Sequence, residues 1–550
     1  MTGTRTAVAK VAASKGPTAA TKLFWRLRGF EPMRNTYQLT EGVDVPMSDG
    51  ITLKTDVYLP DTADKTPTVF VRTPYGRGRT AFERLNYAFL AARGFTVVVQ
   101  STRGTDGSDG VQVPMTPEAS DGQDAVEWLR KQSWFDGRLI TYGASYSGFV
   151  QFALAENPPP ELIGAVIESA PYDFASVAYG RGPFDLINFM VWSSLTARQA
   201  TQSGLSLPAQ IKQMKNDEKA LRNLLATAPL NDAVPDYIDA NAPWYRDWLA
   251  HNTRADGYWD GYDHLQGLQN MRCPVLLSGG WQDIFLRQTL KEWTTLQTNG
   301  APVDVLIGPW THLDGGKLAL SAAHPNRLIH WLDALVDGRQ QEPVHRVAIT
   351  GTKKPTWRNL DSWPPAPARV LTFHGDQQKQ LSERESTVAS RTVFTYDPAS
   401  PTPFIGGGTM TSMNGVQDNA ELEKREDVVV YTSAPFDGDT LVVGVPTVAL
   451  EVETTNGDFD LFVRVCDVDA KGASRNVCDE IIRITGDGLS DVHLDLQGAA
   501  QLFPKGHRVR LQISGGAFPR YAVNPAIQHP CVYAIADRSV LLTLPVATGS

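Results

Sequence analysis

Three residues that could carry out nucleophilic catalysis each stand at the end of a short apolar run. Ser145 closes the run LITYG, Asp283 lies just past PVLLSGG, and His312 lies just past VDVLIG. Runs of this length and composition predict buried strands. Because active groups in an open parallel sheet collect at the carboxyl ends of strands, we expect the three side chains to share one edge. Together they would supply a nucleophile, a general base and a carboxylate that orients the base.

The order of these residues along the chain is informative. Serine, then aspartate, then histidine is the order of α/β-hydrolases and not that of the chymotrypsin or subtilisin arrangements. The 29 residues from Asp283 to His312 accommodate one helix and one strand, so adjacent parallel strands would bring both to the same edge. His324 and His330 are the nearest rival histidines; His330 falls within a predicted helix, where a surface or packing role suits it better.

The nucleophile signature has an unusual spacing. In YGASYSG, Gly143 and Gly148 stand at minus two and plus three from the serine, whereas the familiar signature is Gly-x-Ser-x-Gly. An elbow of this kind requires small residues around a strained turn from strand to helix. Gly143, Ala144, Ser147 and Gly148 can meet that requirement, so we predict a sharp turn at Ser145.

The surrounding elements predict an α/β protein with a second, all-β domain. Strands alternate with helices over 36–171 and again over 266–345, which predicts a parallel sheet covered on both faces. The intervening 172–265 is helical and rich in aromatic residues, as expected of a cap inserted over the sheet. From 346–550, short alternating strands predict a β-sandwich or jelly roll. We expect 1–35 to be a tail with a short helix.

One helix start has a clear local signal. Ser120 and Gln123 have the spacing of a capping box and precede apolar residues at helical spacing through Leu129. The sequence therefore predicts that a helix opens at Ser120.

Composition and charge narrow the classes of function. With 42% hydrophobic and 20% charged residues in 550, the chain is typical of globular proteins with two or three domains. The net charge of −9, without a clustered basic stripe, argues against a nucleic-acid partner. No apolar run approaches the roughly 18 residues that a membrane span needs. The basic N-terminus lacks the apolar stretch of a secretory signal, so we expect a cytoplasmic protein; an organelle transit peptide is the alternative.

The four cysteines are few and widely spread, at Cys273, Cys466, Cys478 and Cys531. Their spacing fits neither a zinc site nor a disulfide framework, and we predict no metal and no cofactor. Cys466 and Cys478 could face each other across a hairpin, although buried free thiols are the usual form in a reducing compartment.

Two other motifs resemble binding sites for calcium or a nucleotide but lack the residues or the spacing that such sites require. DVDAKGASRNVC at 467–478 begins like a calcium-binding EF-hand loop, but Lys471 occupies a ligand position and Cys478 replaces the final glutamate. We predict a β-hairpin there. The glycine cluster RGTDGSDG lacks the spacing and the following helix of a nucleotide-binding motif, which indicates a loop.

Nearly the whole chain after about residue 35 resembles the bacterial cocaine esterase and X-Pro dipeptidyl peptidase group of serine hydrolases. The marks are PMSDGITLKTDVYLP, RTPY, STRGTDGSDG, GASYSG, GGWQD, GPWTH and DFDLFVRVCDVDAKGASRNV. The resemblance implies an α/β-hydrolase core with an inserted helical cap and a C-terminal jelly-roll domain. Ser101 is a departure, since relatives commonly have an aspartate there.

The resemblance also implies roles for further residues. By the match to RTPY, the hydroxyl of Tyr75 and the backbone N–H of Tyr146 would hold the oxyanion of an acyl-transfer intermediate. Trp192 and Phe285, together with Tyr179, would line an apolar acyl pocket. Packing between cap and core is the alternative role for each of these three aromatic residues. We leave open a homodimer as the assembly.

The resemblance leaves three substrate classes open. Enzymes for α-amino acid esters carry extra acids just beyond the triad aspartate, where this chain has Ile284, Phe285 and Leu286. X-Pro dipeptidyl peptidases need an anchor for a free amine. We therefore predict a small-molecule carboxylic ester as substrate, with an X-Pro peptide or another amide as the alternative. A non-catalytic binding protein is the remote alternative.

Overall fold

The structure is a computed structural model that describes most of the chain. The described residues are 10–15, 19–27, 29–78, 81–201, 212, 216, 219–221, 223, 234–314, 326–339, 342–486 and 488–548. Much of the predicted cap between 202 and 233, and the rival His324, therefore lie outside them.

An eleven-stranded mixed sheet forms the first half of the molecule, in the order β1-β2-β3-β5-β4-β6-β7-β8-β9-β10-β11. Its strands are β1 (Lys10–Lys15), β2 (Tyr37–Pro46), β3 (Thr52–Pro60), β4 (Thr68–Thr73), β5 (Thr96–Ser101), β6 (Leu139–Ala144), β7 (Leu162–Glu168), β8 (Val275–Gln282), β9 (Val303–Thr311), β10 (His345–Ile349) and β11 (Thr356–Asn359). From β5 to β10 all neighbours pair in parallel. All six residues of β4 and of β5 are buried, because helices cover both faces of the sheet.

Helices pack on the two faces of this sheet, and several of them belong to the long chain segment that connects β7 to β8. They are α1 (Ala19–Leu27), α2 (Ala81–Arg93), α3 (Glu118–Arg130), α4 (Tyr146–Leu154), α5 (Phe174–Tyr179), α6 (Leu186–Thr201), α7 (Asp236–Asn241), α8 (Trp244–Ala250), α9 (Leu265–Asn270), α10 (Leu286–Thr298) and α11 (Arg327–Val336), with a 3₁₀ helix at Tyr258–Tyr262. Alternation along β4 sends Val69 and Val71 to the core under α1, α2 and α11, and Phe70 to the core under α3. Helices α5 to α8 hold a third, aromatic core over the sheet edge.

The predicted start of α3 was wrong by two residues. The helix begins at Glu118, with Pro117 as its N-cap residue. The hydroxyl of Ser120 donates to the carbonyl of Pro117 (3.1 Å) instead of capping a helix that starts after it. The capping-box spacing therefore lies inside the helix, where serine bonds back to the preceding turn.

A thirteen-stranded sheet system forms the C-terminal β domain. Its strands are β12 (Arg369–Gly375), β13 (Gln380–Ser382), β14 (Arg391–Tyr396), β15 (Val428–Ser433), β16 (Thr440–Gly444), β17 (Thr447–Thr454), β18 (Phe459–Val468), β19 (Ser474–Ile484), β20 (Leu489–Asp495), β21 (Ala499–Phe503), β22 (Arg508–Ser514), β23 (Cys531–Ala536) and β24 (Leu541–Val546), with 3₁₀ turns at Leu422–Lys424 and Asp537–Ser539. The predicted fold, an α/β core followed by a β domain, is confirmed.

The segment that imitates an EF-hand is the predicted hairpin of β18 and β19. Across it, Cys466 pairs with Asn476 and Cys478 with Val465, so the two thiols are offset in register. All four cysteines are free. Burial raises the pKa of the Cys478 thiol well above its ordinary value, as it does for Cys466.

Two features differ from the predicted domain limits. Strands β10 and β11 continue the first sheet to Asn359, past the predicted limit at 345, because β10 pairs in parallel with β9. Within the predicted tail, Lys10–Lys15 forms a strand on β2. Among the described residues, no helix is both long and apolar enough to cross a membrane.

Candidate active site

Ser145 occupies a strained turn between β6 and α4. Its backbone has φ 58° and ψ −122°, a combination that residues other than glycine rarely adopt. The chain leaves β6 at Ala144 and enters α4 at Tyr146, so this single residue makes the turn. Strain of this kind at a serine is the mark of a nucleophile elbow.

Packing explains the two glycines of the elbow. A Cβ atom on Gly143 would lie 2.4 Å from Cβ of Ser147 and 2.5 Å from its carbonyl oxygen. A Cβ atom on Gly148 would lie 2.3 Å from Cβ of Ala170. Both positions therefore require glycine, and the shifted spacing places the second glycine where α4 contacts Ala170, two residues beyond the end of β7.

The structure brings Ser145, Asp283 and His312 together at one edge of the sheet. Nε2 of His312 lies 3.2 Å from Oγ of Ser145, and Nδ1 lies 3.2 Å from both carboxylate oxygens of Asp283. Asp283 follows β8 and His312 follows β9, which are parallel neighbours. Asp283 is only 1% exposed and also accepts a hydrogen bond from the N–H of Phe285 (2.8 Å). These contacts match the arrangement of nucleophile, base and orienting acid.

A buried polar network anchors Tyr146, the residue after the nucleophile. Its hydroxyl donates to Glu118 (2.6 Å) and accepts from the N–H of Met115 (2.9 Å). Glu118 in turn pairs with Arg72 (3.0 Å). Burial, and after it Glu118, raises the pKa of Tyr146 well above its ordinary value, so it stays a phenol. Sequence reasoning missed this network. It fixes Tyr146, the first residue of α4, and the backbone N–H of that residue has no acceptor within the helix.

Tyr75 and Trp192 are linked beside the same elbow. The indole Nε1–H of Trp192 donates to the hydroxyl of Tyr75 (3.0 Å). The Trp192 ring is stacked on the ring of Tyr146, with centroids 6.1 Å apart and planes 7° apart. The two tyrosines predicted to hold the oxyanion therefore belong to one connected group.

An apolar cavity of about 440 Å³, part of it open to solvent, lies next to Ser145. It is lined by Met115, Ser145, Tyr146, Pro171, Phe174, Val177, Asn188, Phe189, Trp192, Ile284, Phe285 and Met410. Two predicted pocket residues, Trp192 and Phe285, are in this lining, and the Phe285 ring meets the His312 imidazole edge-on at 5.1 Å. Sequence reasoning missed Asn188 and Met410, which carry no catalytic signature. Met410 comes from the C-terminal domain.

Tyr179 lies elsewhere. Its hydroxyl donates to the carbonyl of Trp248 (2.8 Å), and its ring packs on Phe184 and Trp259. It is not one of the described residues that line the cavity. Its place is the aromatic core of the cap, the packing role that the sequence left open for it.

The remaining candidates have structural partners. His330, on α11, is bonded to Glu31 (2.8 Å) at the surface. The hydroxyl of Ser101 accepts a hydrogen bond from Arg77 (2.7 Å). In the described part of the chain, no three histidine, cysteine or acidic side chains are grouped as metal ligands.

Comparisons with known proteins agree with this architecture. Residues 49–314 match the family described as X-Pro dipeptidyl-peptidase (S15 family). Residues 337–534 match the family described as the X-Pro dipeptidyl-peptidase C-terminal non-catalytic domain. The two matches correspond to the sheet that carries the three residues and to the β domain behind it.

Whole-chain relatives cover both parts together. A cocaine esterase from Rhodococcus sp. is 26% identical over 89% of this chain and 92% of its own length. In structure, an α-amino acid ester hydrolase (TM-score 0.78, 22% identity) covers 93% of this chain and 96% of its own. A CocE/NonD family hydrolase from Staphylococcus aureus (TM-score 0.69, 17% identity) covers 93% and 94%. The chain belongs to the hydrolase family of the cocaine esterases and X-Pro dipeptidyl-peptidases.

Proposed function

We propose that this protein is a serine esterase that cleaves carboxylic esters of small molecules through an acyl-enzyme intermediate. The observation that carries the proposal is the contact chain from Ser145 through His312 to Asp283, at the wall of an apolar cavity. A nucleophile, its base and the orienter of that base at hydrogen-bond distance are the requirement for this chemistry.

The first half of the reaction forms the acyl-enzyme. Nε2 of His312 takes the proton of Ser145 as Oγ attacks the ester carbonyl, and Asp283 stabilises the resulting imidazolium through Nδ1. The tetrahedral oxyanion accepts hydrogen bonds from the N–H of Tyr146 and the hydroxyl of Tyr75. The C–O bond to the alcohol then breaks, and His312 returns its proton to the leaving oxygen. The alcohol departs and the acyl group stays on Ser145.

The second half uses water in place of the alcohol. His312 takes a proton from a water molecule that attacks the acyl carbonyl, and the same two donors hold the second oxyanion. When the bond to Oγ breaks, His312 gives the proton back to Ser145. The carboxylic acid leaves, and the enzyme is restored without any external reductant, oxidant or metal.

The cavity supports an uncharged, apolar acyl group. Among its described lining residues none is ionised, and the position just after the triad aspartate is occupied by Ile284 and Phe285. A substrate ammonium would lose its hydration there without gaining a carboxylate, at a cost of several kcal/mol. The similarity to a cocaine esterase over most of the chain supports the same substrate class. The match to the S15 peptidase family favours X-Pro peptides as the second candidate.

Covalent labelling tests the catalytic serine. We expect a fluorophosphonate probe to label the wild-type protein, and Ser145→Ala to abolish labelling. Ser101→Ala is the matched control, because Ser101 also ends a strand of the same sheet. Absence of labelling in the wild type would refute the esterase proposal and leave the binding-protein alternative. Labelling that survives in Ser145→Ala would refute the proposal that Ser145 is the nucleophile.

A substrate panel tests the class of ester. We expect p-nitrophenyl esters of apolar acids to be turned over faster than esters of α-amino acids and faster than X-Pro-p-nitroanilides, compared by kcat/KM. Faster turnover of the anilides would replace the esterase assignment with the peptidase one.

A further inference from the structure

A loop of the C-terminal domain contacts both segments that carry the acid and the base. We call residues 405–415 the glycine loop; it lies between β14 and β15. A Cβ atom on Gly408 would be 3.0 Å from the carbonyl oxygen of Asp283 and 3.2 Å from the nitrogen of Ile284. Thr311, the residue before His312, lies at the other end of the loop. A Cβ atom on Gly415 would be 3.2 Å from Cγ2 of Thr311.

The glycine loop is fixed in shape by its own backbone. Gly407 and Gly415 exchange both backbone hydrogen bonds (2.7 and 2.9 Å), and the N–H of Gly406 donates to Met413 (3.1 Å). Gly406, Gly407 and Gly415 have φ between 72° and 77°, which glycine adopts without strain. A loop closed in this way can act as a rigid spacer between the two segments it touches.

One side chain joins this loop to the strand end that precedes Asp283. The amide of Asn476, on β19, donates to Oε1 of Gln282 (3.0 Å) and to the carbonyl of Gly415 (3.1 Å). Its Oδ1 accepts from the N–H of Gln417 (2.8 Å). Gln282 completes the link by donating to the carbonyl of Val477 (3.0 Å). Asn476 is 2% exposed, so these bonds form away from water.

We propose that Asn476 is a positioning residue of the catalytic triad, which fixes the Asp283 segment against the glycine loop. Asn476 touches no reacting atom and acts through Gln282, the immediate neighbour of Asp283. Strand β19 is paired with β18 along its length, and therefore gives this contact a rigid base. A carboxylate that must face an imidazolium is sensitive to shifts well below 1 Å. This inference rests on the proposed esterase function.

The isosteric variant Asn476→Asp tests the proposal. It keeps the shape and the acceptor but replaces the donating amide with an oxygen that faces two carbonyl oxygens, Gln282 Oε1 and Gly415 O. We expect kcat to fall about 10- to 100-fold with KM unchanged. Because Asp283 would support the imidazolium less well, we expect the acid limb of the kcat/KM profile to move to lower pH.

A second variant approaches the same link from the other side. Gln282→Leu removes the acceptor of Asn476 and leaves β19 intact, so it decides the matter if Asn476→Asp does not fold. The two changes break one link, and we expect the kcat of the double variant to be little lower than that of either single variant.

Asn524→Asp is the matched control. Asn524 is also buried in the C-terminal domain, but its carboxamide bonds Asp460 (3.2 Å) and Ala526 (3.0 Å).

The outcomes separate this inference from the esterase proposal. Unchanged kcat and acid limb in Gln282→Leu, or an equal loss in Asn524→Asp, would overturn the positioning role. A wild-type protein that a fluorophosphonate does not label would overturn the esterase proposal instead. In that case, an NMR titration of the His312 imidazole in wild type and Gln282→Leu still tests the link. A lower midpoint in the variant supports it, and equal midpoints contradict it.

Discussion

Ser145 and the Asp283–His312 pair are held in place by different kinds of contact. The Ser145 elbow is defined mainly by its own turn and by two glycines within three residues, the second of which packs on Ala170. The segments that carry Asp283 and His312 instead contact a loop more than 90 residues further along the chain, in another domain, through Asp283 itself and through Thr311. One half of the site is therefore local in origin, and the other half depends on how two domains fit together.

The difference predicts which property of the protein a substitution in each half of the site would impair. A change in the elbow should disturb the fold around α4 before it alters the chemistry, because the turn is packed against β7. A change in the interdomain contacts should leave both domains folded and alter the geometry of the acid and base. The following variants test this division, beginning with the largest effect.

Asp283→Asn removes the chemistry of the acid without moving it. The amide would favour the wrong imidazole tautomer, so we expect kcat to fall about 10⁴-fold with the fold retained, measured on a p-nitrophenyl ester. Glu292→Gln is the control, because Glu292 is an equally buried acid on α10 whose carboxyl oxygens accept no hydrogen bond in the described structure. A loss below tenfold in Asp283→Asn would show that the acid does not orient His312.

Tyr75→Phe removes one donor to the oxyanion. We expect kcat to fall about 100- to 1,000-fold, because a single donor of this kind contributes that much to the rate. Tyr179→Phe is the matched control, since its hydroxyl bonds Trp248 outside the cavity. Equal rates for wild type and Tyr75→Phe would assign the oxyanion contact to the backbone of Tyr146 alone.

Gly148→Ala tests the local half. The new methyl group would overlap Ala170, and overpacking of this size costs about 1–3 kcal/mol in the free energy of unfolding. Chemical denaturation should show this loss, and adding Ala170→Gly should restore most of it by making room. If the double variant is no more stable than Gly148→Ala, strain at the turn and not this contact explains the glycine.

Gly408→Ala tests the interdomain half. The added Cβ atom would press on the backbone of Asp283, so we expect kcat to fall about tenfold with a small change in stability. Gly438→Ala is the control in the same domain, because a Cβ atom there has no neighbour within 4 Å. Equal kcat values for the two variants would contradict the bracing role of the loop.

The smallest expected effect is on the pH dependence of stability, and it concerns Asp185. This carboxylate accepts a hydrogen bond from the side chain of Asn188 and pairs with Arg520 of the C-terminal domain (3.0 Å). Burial raises its pKa from 3.8 to about 6, opposed by Arg520. The folded state therefore binds the proton more tightly than the unfolded state. The stability that this group contributes is present below pH 3.8 and is lost as the pH rises through 6.

We expect Asp185→Asn to flatten this pH dependence, measured by chemical denaturation at several pH values between 4 and 7. Asp469→Asn is the control, because Arg475 lowers the pKa of Asp469 to about 2, below that range. An unchanged pH dependence in Asp185→Asn would show that Asp185 does not titrate in this window.

The local features of the site could be predicted from the sequence, because residues close together in the chain determine them. The strand ends that present Ser145, Asp283 and His312 are marked by apolar runs, and the elbow by small residues within a few positions. Each of these signals arises from neighbours in the chain, which is where periodicity and turn chemistry act.

The contacts between distant elements could not be predicted in this way. Glu118 bonds Tyr146 from 28 residues away, and Asn476 bonds Gln282 from 194 residues away. Nothing in the immediate neighbourhood of either residue distinguishes it from an ordinary buried polar group. Tyr179 shows the converse: an aromatic residue of the cap fits a pocket or a core equally well until its partner, here Trp248, is known.

The way Met410 is held bears on how such a cavity can change during evolution. Asn188 accepts a hydrogen bond from the backbone N–H of Met410 (2.7 Å), and the side chain takes no part in that bond. Every residue except proline can therefore keep this hydrogen bond at position 410. Under the proposed function, a larger or smaller side chain at this position would change which acyl groups the cavity admits, while Ser145, His312 and Asp283 are inherited unchanged.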